Sequence, residues 1–261
     1  MSNGWDGNMD RAMSLEQHNL EIRKNLEHWD GKPLLREIYR YFYGLIGRLT
    51  TSEVLGSTVE LGSGIGNIKE VLPHCLRTDI FPNPWIDQLE NAYSLSFPSG
   101  SVANIILFDV FHHLRYPGDA FEEFYRVLVP GGRVIIFDPC LSLLGLLVYG
   151  VAHHEPVGIW DKIAWRSPKG WTYREDSYYA AQGNAYRIFW RSNIGAKLPG
   201  WRLLHRQRLS AISYVCSGGY SKPQLYPGSL YGAMRCVDSL LDCLPLLFAT
   251  RLLVGLEKEL P

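Results

Sequence analysis

The sequence predicts an α/β fold built on a doubly wound parallel sheet, and three observations carry that expectation. Between Ser57 and Pro139, short apolar, β-prone runs alternate with helical patterns. The first run ends in a glycine-rich turn, Gly62-Ser63-Gly64-Ile65-Gly66, of the kind that leads a strand into a helix. Two carboxylates, Asp79 and Asp138, stand at the C-terminal ends of later runs, the edge at which open parallel sheets bind ligands.

Taken in order, Ser57 to Leu61 is apolar apart from Glu60 and reads as a buried strand. The glycines that follow tolerate positive φ and let a ligand approach the backbone, and Asn67 to Leu72 is expected to open a helix whose amides face that ligand. Nicotinamide and flavin enzymes space such glycines G-x-G-x-x-G. Here the third glycine comes one residue early, Asn67 fills its usual place, and Glu60 would set a negative charge against a pyrophosphate. Leu76 to Ile80 is expected as a second strand. Its Asp79 could accept both hydroxyls of a ribose, each charge-assisted bond contributing about 1.5–3 kcal/mol net, or it could cap the turn Phe81-Pro82-Asn83-Pro84.

Asp87 to Ala92 reads as a third strand and Ala103 to Phe108 as a fourth, ending in Asp109-Val110-Phe111-His112-His113-Leu114. A helix is expected next, with Asp119 as its cap and Phe121, Phe124, Tyr125 and Leu128 on its apolar face, stopped by Pro130-Gly131-Gly132. Arg133 to Phe137 reads as the fifth strand.

In this order the signals resemble the class I S-adenosylmethionine-dependent methyltransferases, in the subgroup often called methyltransferase type 11. The carriers are Glu60-Leu61-Gly62-Ser63-Gly64-Ile65-Gly66, Asp79, Leu95-Ser96-Phe97-Pro98, Phe111-His112-His113-Leu114 and Arg126-Val127-Leu128-Val129-Pro130-Gly131-Gly132. The resemblance implies a Rossmann-like sheet of seven strands, S-adenosylmethionine as cofactor, and Gly62, Gly64 and Gly66 beside its methionine part. It also implies Asp79 on the ribose, and Asn91 and Ala92 at the adenine. Glu60 and Asp109 are further cofactor-binding candidates. Two departures are visible: the family commonly has Asp where Asn91 stands, and Phe-Asp where Val102-Ala103 stands.

On this basis two more strands are expected, Trp201 to Leu209 and Arg251 to Lys258, the latter antiparallel. Residues 1–50 form an N-terminal helical segment and 51–261 the methyltransferase domain, with substrate-lid insertions at about 140–200 and 210–250. From Ser14 to Thr50, Ile38, Tyr39, Phe42, Tyr43, Leu45 and Ile46 are expected to pack on the sheet or over the cofactor. The insertions are rich in tryptophan and tyrosine, which supply large amphipathic walls. Apolar runs at Leu141 to Ala152 and Cys243 to Thr250 are too short to span a bilayer. They are expected to be buried in the lid, with a dip into a membrane interface as the alternative. His153-His154-Glu155-Pro156, Gly183-Asn184-Ala185, Ser217-Gly218-Gly219 and Pro227-Gly228 look similar to methyltransferases encoded beside surface-glycan glycosyltransferases.

Composition sets outer limits. The 261 residues carry 26 basic and 26 acidic side chains, so overall charge gives no reason to expect a nucleic-acid partner. Five cysteines show neither C-x-x-C pairing nor zinc-ligand spacing and read as reduced thiols. Met1 to Arg11 lacks the order of a signal peptide, so a cytoplasmic protein is expected. No magnesium-type acidic cluster is visible, and a metal is not expected.

A hydroxyl acceptor benefits from a neutral histidine as base. His112 and His113 follow the fourth strand, and His153 and His154 lie in the first insertion, so these four are the catalytic candidates, each with a structural reading beside it. Asp138 and Glu155 could orient a base or cap a helix. Arg187, Arg191, Lys197, Arg202, Arg206 and Arg208 could meet an acidic acceptor or form a solvated face. The expected function is O-methylation of a sugar, glycolipid or other small molecule, with possible peripheral membrane contact. A nicotinamide-dependent oxidoreductase and a non-catalytic cofactor-binding module are the alternatives.

Overall fold

The computed structural model describes residues 15–151, 156–159, 162–173, 179–192 and 198–260. Seven strands form one sheet: β1 (Ser57–Leu61), β2 (Leu76–Asp79), β3 (Gln88–Leu89), β4 (Val102–Phe108), β5 (Leu128–Pro139), β6 (Trp201–Leu209) and β7 (Arg251–Lys258). Their order across the sheet is β3-β2-β1-β4-β5-β7-β6. The first five run parallel, and β7 inserts antiparallel between β5 and β6. That hairpin separates the fold from the wholly parallel 3-2-1-4-5-6 order of dinucleotide-binding domains.

Strand alternation divides the core in two. Val59, Leu61, Ile105, Leu107, Val134 and Ile136 face one side, where helix α3 (Pro117–Val127) lays down Phe121, Phe124 and Val127. Ile106, Phe108, Ile135 and Phe137 face the other, against helix α2 (Pro33–Gly47) and its buried Ile38, Tyr39, Phe42, Tyr43 and Ile46. The N-terminal helical pattern is therefore real. It is two helices, α1 (Leu15–Gly31) and α2, with Pro33 opening the second.

Several local expectations are corrected. The helix expected at Asn67 to Leu72 is a single 3-10 turn, Asn67–Glu70. Pro73 and the start of β2 at Leu76 leave no length for more, and α2 covers the sheet there instead. Only Gln88–Leu89 of the Asp87 to Ala92 segment joins the sheet, and no helix lies between β3 and β4. Helix α3 starts at Pro117 with Tyr116 at the cap position, so Asp119 lies in the first turn, where it accepts the Ser167 N–H at 3.0 Å. It ends at Val127 rather than at the glycines. Leu128 opens β5, and Pro130-Gly131-Gly132 lies inside that strand.

After β5 comes helix α4 (Leu143–Val151). Beyond β6 lie α5 (Ile212–Ser217), α6 (Tyr231–Leu241) and a short turn of helix, Pro245–Phe248. The two apolar runs are not buried. Leu143, Leu147 and Val151 of α4 and Leu244 and Leu246 beside the short helix stand largely in solvent. Among the described residues, no helix is long and apolar enough to cross a membrane.

Candidate active site

Of the residues singled out in the sequence, Glu60, the glycines of the turn, Asp79, Asp109, His112, His113 and Asp138 lie at the C-terminal edge of β1, β2, β4 and β5. They divide between the two faces of the sheet.

On the α2 face, Glu60 points away from its β1 neighbours Val59 and Leu61 and is buried, and its Oε1 accepts from the Tyr43 hydroxyl at 3.1 Å. Burial pushes its carboxyl up to about 7, with hydrogen bonds from Ser63 and Tyr43 opposing the rise. Gly62, Gly64 and Gly66 all adopt positive φ, at +67°, +52° and +72°. Two of the three are sterically pinned: a Cβ on Gly62 would run into Val110, and one on Gly66 would lie 2.7 Å from the Arg77 side chain. Gly64 is different, with nothing within 4 Å of a Cβ position. The turn is locked to β2, because Ser63 N–H donates to the Thr78 carbonyl at 2.8 Å and Thr78 Oγ1 donates to the Glu60 carbonyl at 2.8 Å.

Asp79 is buried at the end of β2. Its Oδ2 accepts the Gly64 N–H at 3.1 Å and its Oδ1 the Phe81 N–H at 3.4 Å. It therefore caps the turn into Phe81, as one reading expects, and also accepts from the glycine loop. Asn91 uses its side-chain oxygen to cap a tight turn, accepting the Tyr93 N–H at 2.9 Å, and Ala92 packs into the α3-side core.

Asp109 ends β4 with φ +56° and pairs with Arg251. The antiparallel register Pro139↔Arg251 brings that arginine to the edge. Arg251 is buried between the Phe137 and Tyr214 rings, with its guanidinium carbon 4.6 Å from the Tyr214 centroid. Tyr39 stacks on Phe108 at 5.1 Å and meets Tyr214 and Tyr220 edge-on, and Asn67 donates to the Tyr220 hydroxyl at 2.7 Å. Burial raises the Tyr39 and Tyr220 hydroxyls well above the ordinary tyrosine range, so they act as neutral donors.

On the α3 face, His112 is buried with Nδ1 2.8 Å from Asp138 Oδ1, and its Nε2 lies 3.3 Å from the Gln182 amide nitrogen. Burial raises the Asp138 carboxyl, opposed by His112. His113 is half-buried, its ring centroid 4.1 Å from that of His112, and its Nδ1 lies 2.9 Å from the Tyr179 carbonyl oxygen. His153, His154, Glu155 and Lys197 lie outside the described residues.

The remaining arginines do not converge on one point. Arg202 pairs with Glu257, Arg187 bonds the Gly158 carbonyl, and Arg206 lies 5.1 Å over Trp190. Among the described residues, no group of three or more His, Cys, Asp or Glu could hold a metal ion.

Sequence reasoning missed Arg251 and Gln182 as members of the edge and gave Tyr43 only a packing role. A trace of the first was present, since an arginine opens an otherwise apolar strand. Gln182 carried no signal, because its approach to His112 depends on the return of a long insertion.

Glu60 yields a pH prediction. In the unfolded chain its carboxyl ionises near the ordinary 4.5, and in the folded protein near 7. Folding therefore takes up a proton in that window. The stability Glu60 contributes is complete below the unfolded value and is lost as pH rises through the folded one. Glu60→Gln removes the titration and flattens this loss, by about 3 kcal/mol. Urea unfolding of both proteins on either side of the window measures the difference, and parallel profiles would contradict it.

Comparison with known proteins agrees with this architecture. Residues 59–136 match the family described as a methyltransferase domain. A SAM-dependent methyltransferase from Archaeoglobus fulgidus is similar over 85% of this chain and 94% of its own, at 11% identity and a TM-score of 0.50. A geranyl diphosphate methyltransferase in complex with SAM is similar over 86% of this chain and 88% of its own, at 13% identity and a TM-score of 0.50. Likeness at such identity is likeness of fold. No curated relative matches the sequence. The fold and the match define the class: residues 59–136 match a methyltransferase domain, they lie in a seven-stranded Rossmann-like sheet, and the chain is an enzyme.

Proposed function

We propose that this enzyme uses S-adenosylmethionine to methylate a hydroxyl oxygen of a sugar, glycolipid or other small molecule, with His113 as the base. One observation carries the choice of base. The Tyr179 carbonyl can only accept, so His113 donates to it from Nδ1, and in the neutral ring Nε2 is then the basic nitrogen. His112 is the positioning residue. Its Nδ1–H is held by Asp138 and its Nε2 accepts from Gln182, which fixes both the ring and the backbone turn it shares with His113.

The chain's residues fit the cofactor. Gly64 offers open backbone, and the Asp79 carboxylate, oriented by the Gly64 and Phe81 N–H groups, is the acceptor type that a ribose hydroxyl requires. Gly62, Gly66, Glu60, Asn91, Ala92 and Asp109 complete the cofactor-side candidates. When bound, S-adenosylmethionine supplies an electrophilic methyl on a sulfonium.

The protein's own work is to hold the acceptor in line, exclude water and remove the hydroxyl proton. Positioning alone can supply up to roughly 7–11 kcal/mol, and a placed base adds about 10²–10⁴-fold. The insertions at about 140–200 and 210–250 are the substrate lid in this reading. The glycan preference is supported by the markers in those insertions. Two of them are structurally demanding, since Gly183 and Gly218 take φ +89° and +75° and begin or end helical turns.

The test is release of S-adenosylhomocysteine with a panel of sugar, glycolipid and phenolic acceptors. His113→Ala is expected to lower kcat by about 10²–10⁴-fold while calorimetric affinity for S-adenosylmethionine stays unchanged. Full turnover in a His112→Ala/His113→Ala double variant would exclude both histidines as base.

A further inference from the structure

We propose that α4 and the Leu244–Phe248 corner form a docking surface for an anionic lipid bilayer, which holds the active edge against the membrane. Five side chains define it: Leu143 is 67% exposed, Leu147 59%, Val151 77%, Leu244 52% and Leu246 66%. Monomeric proteins rarely display so many neighbouring aliphatic groups without a partner.

The outward set is fixed by what α4 uses to dock. Its inner face is spent on Gly145 and Tyr149, four residues apart. A Cβ on Gly145 would run into the Cys140 carbonyl, and the Tyr149 hydroxyl donates to the Thr250 carbonyl at 2.8 Å. Ser142 Oγ ties the two pieces together, accepting the Gly145 N–H at 3.0 Å and donating to the Leu247 carbonyl at 3.1 Å. With one face used, Leu143, Leu146 and Leu147 are left facing solvent. The surface is thus a rigid ridge.

Composition and charge select the occupant. Neither Leu141 to Val151 nor Cys243 to Ala249 contains a charged residue, and the exposed groups are aliphatic, without the tryptophan, tyrosine and arginine anchors of protein interfaces. The short helix Pro245–Phe248 adjoins β6, whose sequence Trp-Arg-Leu-Leu-His-Arg-Gln-Arg-Leu contains no acid. Arg206 and Arg208 lie over the rings of Trp190 and Tyr186, on the α3 face of the sheet with Leu141 and Ala249, and neither pairs with a carboxylate among the described residues. A purely aliphatic ridge beside arginines that have no carboxylate partner among the described residues complements hydrocarbon below and lipid phosphate above.

The ridge also abuts the chemistry. α4 begins five residues after Asp138, and the corner ends three residues before Arg251. A membrane-borne acceptor would meet the edge where His112, His113 and Asp109 lie. That consequence rests on the function proposed above, whereas the docking itself does not.

Sedimentation of the full chain with vesicles tests it, using phosphatidylcholine alone and phosphatidylcholine mixed with phosphatidylglycerol. The wild type is expected to pellet with the anionic vesicles and only weakly with the neutral ones. Leu143→Asp/Leu147→Asp/Leu246→Asp is expected to lower the partition coefficient at least roughly tenfold. Arg206→Gln/Arg208→Gln is expected to erase the preference for anionic lipid and keep the weak neutral binding. S-adenosylmethionine affinity, measured on each variant, reports that the fold is kept. A wild type that stays in the supernatant with both vesicles overturns the proposal. So does a concentration-dependent dimer, seen by analytical ultracentrifugation and abolished by the leucine variants, since the face would then be covered by a second copy.

Discussion

Asp79→Ala is expected to weaken S-adenosylmethionine binding by at least tenfold where one ribose hydroxyl is held, and by at least about a hundredfold where both are. Each charge-assisted hydrogen bond to an ionised carboxylate contributes about 1.5–3 kcal/mol net, and one factor of ten is about 1.4 kcal/mol. A second loss adds to the first. Asp79 Oδ2 accepts the Gly64 N–H, so removing the carboxylate also releases the one glycine of the turn that is open to a ligand. Asp79→Asn keeps one acceptor oxygen and should fall between the two. Calorimetry decides the matter, with the far-ultraviolet spectrum of each variant as the check on folding. Equal affinity in Asp79→Ala would remove this residue from the cofactor site.

Phe137→Ala is expected to destabilise the protein by about 3–5 kcal/mol, the usual range for truncating a fully buried aromatic ring. Phe137 is fully buried on the α2 face, and its ring centroid lies 4.8 Å from those of both Phe42 and Phe108. Its loss opens a cavity at the junction of β4, β5 and α2. The same ring supports Arg251, so the Asp109 pair above it loses its floor. For a chain of this size the stability loss corresponds to a fall in Tm on the order of 10 °C. A denaturant midpoint equal to that of the wild type would mean that the cavity collapses without penalty.

The first strand was legible because its signal is local: Ser57 to Leu61 falls where its residues predicted it, since a short β-prone, apolar run that ends in turn residues carries its own boundary. Trp201 to Leu209 and Arg251 to Lys258 fall where the family resemblance implied them. The helix after the glycine turn was misread for a complementary reason. A glycine turn leads into a helix only if the chain has length to form one, and here Pro73 and β2 arrive first. Nothing in Asn67 to Leu72 reveals that α2 takes over its packing role from far upstream.

The site divides along the same line. The glycine register, Glu60, Asp79 and the His112-His113 pair are short-range features, and the sequence alone marked them as one ligand edge. The partners that give them chemistry are distant in the chain: Tyr43 on Glu60, Arg251 on Asp109, Asp138 and Gln182 on His112, and Tyr179 on His113. Charge state, tautomer and orientation depend on burial and on hydrogen-bond geometry within a few ångströms, and those are set by strand register and by where the insertions return. The apolar runs show the same limit. Composition marked Leu141 to Ala152 and Cys243 to Thr250 as apolar, but only packing decided that Gly145 and Tyr149 turn inward and the leucines outward. The sequence by itself thus determined a parallel α/β sheet and its ligand edge, because period and spacing are properties of neighbours, and the family resemblance implied the seven-stranded form. Which groups are paired, buried or exposed was decided by the tertiary structure, because those are properties of contacts between residues far apart in the chain.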